Sequence, residues 1–331
     1  MSSQQTKLDW LLSKRLHIVT GKGGVGKSTL CAAMGLVAAR HGRRAIILET
    51  DTKERMSQLF EIPPVGYQEV EIYPGLYAKN LDPDHSMEEY VLRFVRLQSV
   101  YDALFKKSFL QYWIQGMPGF REFVVLGKIW DMGQAFDKKR PDYDMMIIDS
   151  PATGHGVSLW QLPEATRKAV GGSGPIANYA AKMRDFFANP DEAAYHIATI
   201  PEELPYTETV ELVSAMRGDL NLPLGLLLAN QIPPAAYPGE AQPLFEKLLG
   251  GGAERDALSS HLGGTDIGDA LINAARSQSI KHGHGVHYIE KLAELDAPMV
   301  RLPFVYAKSY AKTAVEKLSH VLEAELQEQM K

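Results

Sequence analysis

The chain has one cysteine, Cys31, among 331 residues. A single thiol excludes an internal disulfide and any metal site built on paired thiolates. Long apolar runs are also missing. Nothing reaches the ~18 consecutive apolar residues of a membrane-spanning helix, and residues 1–15 lack the apolar stretch of a secretory leader. Cytoplasmic residence without stable membrane insertion is therefore expected. Positive charge is not concentrated either. The formal net charge is −5 and no block of five or six basic residues occurs, so no nucleic-acid partner is expected. No internal repeat is visible. With 45% hydrophobic and 23% charged residues, the composition is that of an ordinary globular protein. Its length suits one large α/β domain with an insertion.

One dense motif stands against this background. An apolar run, Leu16 to Thr20, leads into Gly21-Lys22-Gly23-Gly24-Val25-Gly26-Lys27-Ser28-Thr29 and then into Leu30 to Ala38. This reads as strand, glycine-rich loop and helix, with the spacing G-x-x-x-x-G-K-[ST] of a phosphate-binding loop. Glycines let backbone N–H groups close on a polyphosphate, and the helix start adds partial positive charge. Lys27 then belongs on the β- and γ-phosphates, Ser28 on Mg2+ and Thr29 near the α-phosphate. The same letters carry a rival. Gly21, Gly23 and Gly26 also spell G-x-G-x-x-G, the dinucleotide fingerprint, with Glu49 or Asp51 as its ribose acid. A dinucleotide site has no use for Lys-Ser-Thr after the last glycine, so a triphosphate site is preferred over an NAD-dependent oxidoreductase.

Further strands end in acids. Arg44 to Glu49 runs into Thr50-Asp51, and Asp144 to Asp149 runs into Ser150-Pro151-Ala152-Thr153-Gly154-His155. Carboxylates past the carboxyl ends of strands lie where open α/β sheets bind ligands. Asp51 is the candidate to orient the attacking water beside Mg2+, with a helix N-cap as its plain alternative. Asp149 has the Walker-B place on Mg2+ or its water. The Gly154 amide is placed to face a γ-phosphate.

Between these strands, residues 84–140 read as a helical insertion that continues over 157–192. It opens with a capping box, Ser86 and Glu89. Its stripe of Met87, Tyr90, Phe94, Leu97, Tyr101 and Leu104 continues through Phe109, Trp113, Met117, Phe120, Phe123, Trp130, Met132 and Phe136. Such stripes are more often core than binding surface. Pro163 and the run Gly171 to Pro175 break the second part. Later come strands at Ala193–Ile200, Leu224–Ala229 and Met299–Leu302, a helix from Thr207, and a Pro/Gly-rich stretch from Pro233 to Gly264 that reads as irregular at both ends. A final helix from Ala307 to Gln327 reads as docked rather than membrane-seeking. Asn230 follows the second of these strands and Pro303 the last, and both are assigned to the nucleotide. His282, His284 and His287 alternate with glycine and lack a carboxylate or cysteine partner, which favours a solvent-exposed helix start over a metal site.

Lys22 marks the loop as the form K-G-G-x-G-K-[ST], shared by MinD, ParA, the nitrogenase iron protein and ArsA. Together with Asp149-Ser150-Pro151-Ala152-Thr153-Gly154-His155, similar to the switch motif D-T-A-P-T-G-H, and with Asn230-Gln231, similar to an adenine-reading V-N-Q, the chain resembles the ArsA-type ATPases. That family holds the arsenite-pump ATPase and the targeting factor for tail-anchored membrane proteins. The resemblance implies a doubly wound P-loop fold and hydrolysis of ATP to ADP with Mg2+. It implies a dimer, with an identical chain or a paralogous ATPase, in which Lys22 acts across the interface. It also implies an ATP-gated movement of helical subdomains that handle an apolar protein client. The chain departs from the pattern at Asp51-Thr52-Lys53-Glu54, where the family reads D-P-A-H. The single cysteine excludes a C-x-x-C zinc clasp and argues against arsenite efflux. A MinD- or ParA-like positioning ATPase is the main alternative.

Overall fold

A computed structural model describes residues 5–50, 54–95, 119–134, 142–151, 158–169, 171–237, 239–306 and 311–330. Eight strands form one sheet in the order β3-β4-β2-β5-β1-β6-β7-β8. They are β1 Leu16–Thr20, β2 Ala45–Glu49, β3 Val70–Tyr73, β4 Leu76–Asn80, β5 Met145–Asp149, β6 Ala193–Thr199, β7 Leu224–Ile232 and β8 Met299–Pro303. All neighbours pair parallel except β3 with β4.

The helices described are α1 Lys7–Ser13, α2 Lys27–Arg40, α3 Met56–Phe60, α4 Pro83–Val95, α5 Phe120–Gly133 and α6 Ser158–Ala169. They continue with α7 Pro175–Phe187, α8 Glu203–Arg217, α9 Gln242–Gly250, α10 Ala253–Leu262, α11 Thr265–Ala293 and α12 Lys312–Leu326.

Strand side chains alternate between faces, and both faces of this sheet are covered. Val19, Ile47, Ile147 and Leu228 pack with α2 and with Val315, Leu318 and Leu322 of α12. Ile18, Leu48, Ile148 and Ile197 face the other way, onto Leu126 and Trp130 of α5, Trp160 of α6, Met183 and Phe187 of α7 and Val213 of α8. The apolar runs that ended in Glu49 and Asp149 are therefore central strands buried on both sides. β1 leads leftward to β2, whereas the path from β5 to β6 crosses β1 to its other side. The direction of winding reverses beside β1, and the crevice at such a point is where this class of sheet binds ligands.

Several expectations are corrected. The helix after β4 starts at Pro83 rather than Ser86, because Asp82 is its cap: Asp82 Oδ1 accepts the His85 N–H at 2.9 Å. Ser86 Oγ is buried without a hydrogen-bond partner among the described residues. Pro163 lies inside α6 without ending it. The Pro/Gly-rich stretch is irregular at its two ends, as expected, and helical between them, with Gly251, Gly252, Gly263 and Gly264 at positive φ between α9, α10 and α11. There the glycines punctuate helices rather than dissolve them. α8 starts at Glu203, four residues before Thr207. His282, His284 and His287 sit in the middle of the 29-residue α11, not at a helix start, and His282 Nδ1 meets Pro233 O at 2.8 Å.

The aromatic stripe falls partly outside the described residues, including Leu97, Tyr101, Leu104, Phe109, Trp113, Met117 and Phe136. Within them, Phe123 and Trp130 are core. No described helix is long and apolar enough to cross a membrane.

Candidate functional site

The loop between β1 and α2 forms the floor of the site, and its backbone shape is set by glycine. Gly21 has φ +137°, and a Cβ there would stand 2.2 Å from Ala198 O. Gly26, with φ +91°, precedes α2, and its Cβ would stand 2.5 Å from the Asn230 amide nitrogen. A side chain at Gly21 would have to move the β6 backbone, and one at Gly26 would sit at a strained φ and displace the Asn230 amide.

Lys27, the first residue of α2, is buried, and its Nζ donates to Gly21 O at 3.0 Å and Lys22 O at 2.9 Å. Its charge is thereby held inside the loop. Lys22 is directed elsewhere: its Nζ pairs with Glu208 Oε1 on α8 at 2.9 Å.

A cleft of about 350 Å³ opens above the loop. Gly24, Gly26, Lys27, Ser28 and Thr29 line one side, and Glu49, Asp149 and Ser150 line the strand ends. Arg55, Gln58 and Leu59 supply the wall from and just before α3. Glu49 and Asp149 are register partners on neighbouring strands, with Val19 of β1 beyond Asp149. Thr50 ties the ends together, its Oγ1 donating to Asp149 O at 2.8 Å.

Glu49 is 1% exposed. Burial, opposed by hydrogen bonds from Arg55 and Met56 and reinforced by the charges of Asp149 and Glu54, raises its pKa to about 7. Behind the loop Cys31 is buried, and burial together with the Asp149 carboxylate pushes its thiol up. That places it as core rather than as a nucleophile.

A second, smaller cavity of about 160 Å³ shares Gly26 and Thr29 with the first. Asn230, Gln231, Pro303, Phe304 and Val305 line it, with Ala314 and Leu318 of α12 behind. Asn230 lies inside β7 rather than past its end, and its Nδ2 donates to Val25 O at 2.9 Å. Gln231, with φ +55°, marks the bend in that strand. The residues expected to take the phosphates thus border one cavity, those expected to take the base border the next, and the loop helix joins them. Asp51 and Gly154 lie outside the described residues. Glu54, at the place of the family's histidine, accepts the N–H groups of Val65 and Gly66.

A magnesium ion fits these donors. Ser28, Glu49, Asp149 and Ser150 border the phosphate cavity, and Glu49 Oε2 and Ser150 Oγ are buried with no hydrogen-bond partner among the described residues. A hard cation is bound by oxygen ligands of this kind. Of these, sequence reasoning used Glu49 only as a rival ribose acid and assigned Ser150 nothing.

Sheet, loop and acidic strand ends define a P-loop ATPase. The chain belongs to the ArsA-type ATPase family: residues 14–178 match the family described as "Anion-transporting ATPase". It is 29% identical over 319 residues to "ATPase BagA" of Mycobacterium tuberculosis, covering 92% of each chain. It is 27% identical over 210 residues to "ATPase ASNA1 homolog 1" of Paramecium tetraurelia, covering 61% of each. It is also 25% identical over 240 residues to a "Putative arsenical pump-driving ATPase" of Halobacterium salinarum, covering 67% of this chain and 36% of that one.

Proposed function

We propose that this ATPase is a dimeric switch in the cytoplasm, one P-loop domain whose helical subdomain, at about 84–140 and 157–192, moves with the nucleotide state. The observation that carries this reading is the division of labour between two lysines five residues apart: Lys27 turns into its own loop, and Lys22 turns out to Glu208. A cation at the rim of a phosphate site, not among the residues lining the cleft, is suited to a nucleotide held by a partner chain, the arrangement of an arginine finger.

In the proposed reaction Lys27 and the loop amides hold the phosphates of ATP, and Thr29 stands where base and phosphate subsites meet. Asn230 and Pro303 flank the base. Ser28 and Asp149 would hold Mg2+, with Asp51 reaching it through water. When bound, the ion neutralises charge on the phosphates. Asp51 orients the attacking water, Gly154 contacts the γ-phosphate, and Lys22 of the partner subunit supplies positive charge as the bond breaks.

The client reading, an apolar or membrane-protein segment, draws on the relatives' family and on the helical layer over one sheet face. A MinD- or ParA-like scaffold is less favoured because the apolar stripe of α12 is spent on α2. Arsenite efflux is disfavoured by a single, buried thiol.

The test is the mass of Asp51→Asn in solution by light scattering. A dimer with ATP and Mg2+, and a monomer when Lys22→Ala is added to the same chain, supports the switch. The same mass in ATP, ADP and no nucleotide sinks it. A dimer that co-purifies with proteins bearing one C-terminal apolar helix extends the reading to targeting; capture of other proteins alone removes that extension.

A further inference from the structure

The phosphate cavity contains one acid that neither the loop motif nor the Walker-B strand employs. Glu49 ends β2 beside Asp149 and borders the same space as Ser28 and Asp149. Its two oxygens are used differently. Oε1 accepts the backbone N–H groups of Arg55 and Met56, which fixes the start of α3. Oε2 is buried and has no hydrogen-bond partner among the described residues. A cap needs one oxygen. A second carboxylate oxygen kept bare in the interior is unfavourable unless another group completes it. Of the two cations that border the cavity, Lys27 donates its Nζ to the carbonyls of Gly21 and Lys22. Arg55 borders the cavity, but the contact it makes with Glu49 is through its backbone N–H.

We infer that Glu49 is a second carboxylate of the Mg2+ site: Oε2 serves the ion that Ser28 and Asp149 would hold, while Oε1 keeps α3 in place. The inference rests on reading this cavity as the phosphate and Mg2+ site. One side chain then links ion occupancy to the position of α3, in the segment that follows Asp51. Glu49 acts here as a positioning residue, through the ion and through α3, with no role in proton transfer.

Glu49→Gln separates the two uses. Its carbonyl oxygen still accepts from Arg55 and Met56, but the charge and the second acceptor are gone. The probe is a fluorescent ATP analogue titrated into wild type and variant, first in EDTA and then across buffered Mg2+. The expected result is nucleotide affinity in EDTA within twofold of wild type, with the Mg2+ concentration for half-maximal binding raised about tenfold. Superimposable Mg2+ curves overturn the inference, as does an equal loss in both buffers, which would mark Glu49 as a structural support only.

A measurement on the wild-type chain guards against a variant that misfolds. Adding Mg2+ to the nucleotide-bound protein slows hydrogen exchange at the Arg55 and Met56 amides severalfold; unchanged exchange overturns the link to α3. If wild type binds no nucleotide in either buffer, the reading of the cavity fails first and takes this inference with it. That outcome is visible before any variant is compared.

Discussion

His17 Nδ1 lies 2.9 Å from His196 Nε2 in the middle of the sheet, on residues 179 positions apart and both fully buried. The backbone at each end settles the protons. The Leu226 N–H donates to His196 Nδ1 at 3.1 Å, so His196 carries its proton on Nε2 and donates it to His17 Nδ1. His17 then donates from Nε2 to Lys14 O at 3.1 Å. The chain of bonds is complete only when both rings are neutral.

Burial lowers the His17 pKa to about 4 and lowers that of His196 as well, with His17 adding to the effect. In the unfolded chain both titrate near 6.5. Above pH 6.5 neither state binds these protons and the pair has no pH effect. Between 6.5 and 4 the unfolded state binds more protons, so stability falls as pH falls. His17 alone accounts for a loss of about 3 kcal/mol by pH 4. Urea melts at pH 7, 6, 5 and 4.5 read this directly, with His17→Asn as the comparison. Equal pH dependence in wild type and variant would falsify the assignment.

Lys22 and Glu208 make the second prediction. Their ion pair is partly exposed, with side chains 34% and 43% accessible, so it contributes less than ~1 kcal/mol to stability. Glu208→Gln should melt within about 2 °C of wild type. Lys22→Ala should bind ATP with an affinity within a few-fold of wild type, since Lys22 does not line the cleft. Its turnover should fall by roughly 10³, the scale of a cation supplied in trans. Phosphate release at saturating ATP measures this; a wild-type rate removes the role assigned to Lys22.

What the sequence made legible follows from how tightly chemistry constrains residue type. A triphosphate loop needs glycine, lysine and a hydroxyl at set spacing, so Gly21 to Thr29 stood out. Central parallel strands must be apolar on both faces, so β1, β2, β5 and β6 showed as continuous runs before their terminal polar residues. The edge strand β3 did not: Val70–Tyr73 is four residues long and lacks a buried position. The Asp82 cap was missed because Ser86 and Glu89 offered a formally complete capping box four residues on. Glu49 was seen as an acid at a strand end, but that one of its oxygens caps α3 while the other is left without a partner among the described residues depends on where Arg55 and Met56 fold back. His17 counted as one polar residue in an apolar run, because its partner lies on another strand.

Asn230 makes the third prediction. Its amide braces the loop through Val25 O at 2.9 Å and stands where a Cβ on Gly26 would fall. Asn230→Ala removes one hydrogen bond and one wall of the smaller cavity, so affinity for ATP should drop about tenfold. If Asn230 also reads the base, the preference for ATP over GTP should narrow in the same variant. Gly26→Ala should be worse, because a side chain at φ +91° costs ~1–2 kcal/mol and displaces the Asn230 amide as well. Competition binding with the two nucleotides tests both; a preserved ATP preference in Asn230→Ala denies the residue any part in base recognition.

The last prediction concerns a defect in the core. Tyr195 of β6 is fully buried, packed edge-on against Trp160 with ring centroids 5.2 Å apart, and its hydroxyl has no hydrogen-bond partner among the described residues. Burial pushes the phenol far above its usual range, so it stays protonated. The ring packs in the core with Trp160 of α6 and Phe187 of α7, while the hydroxyl has given up water without a partner among the described residues. Tyr195→Phe keeps the ring and removes the uncompensated group. It should stabilise the fold by about 1 kcal/mol, a rise of ~2 °C in melting temperature, with nucleotide binding unaltered. A destabilised Tyr195→Phe would mean that the hydroxyl is bonded in solution, by a buried water or by a residue outside the described segments.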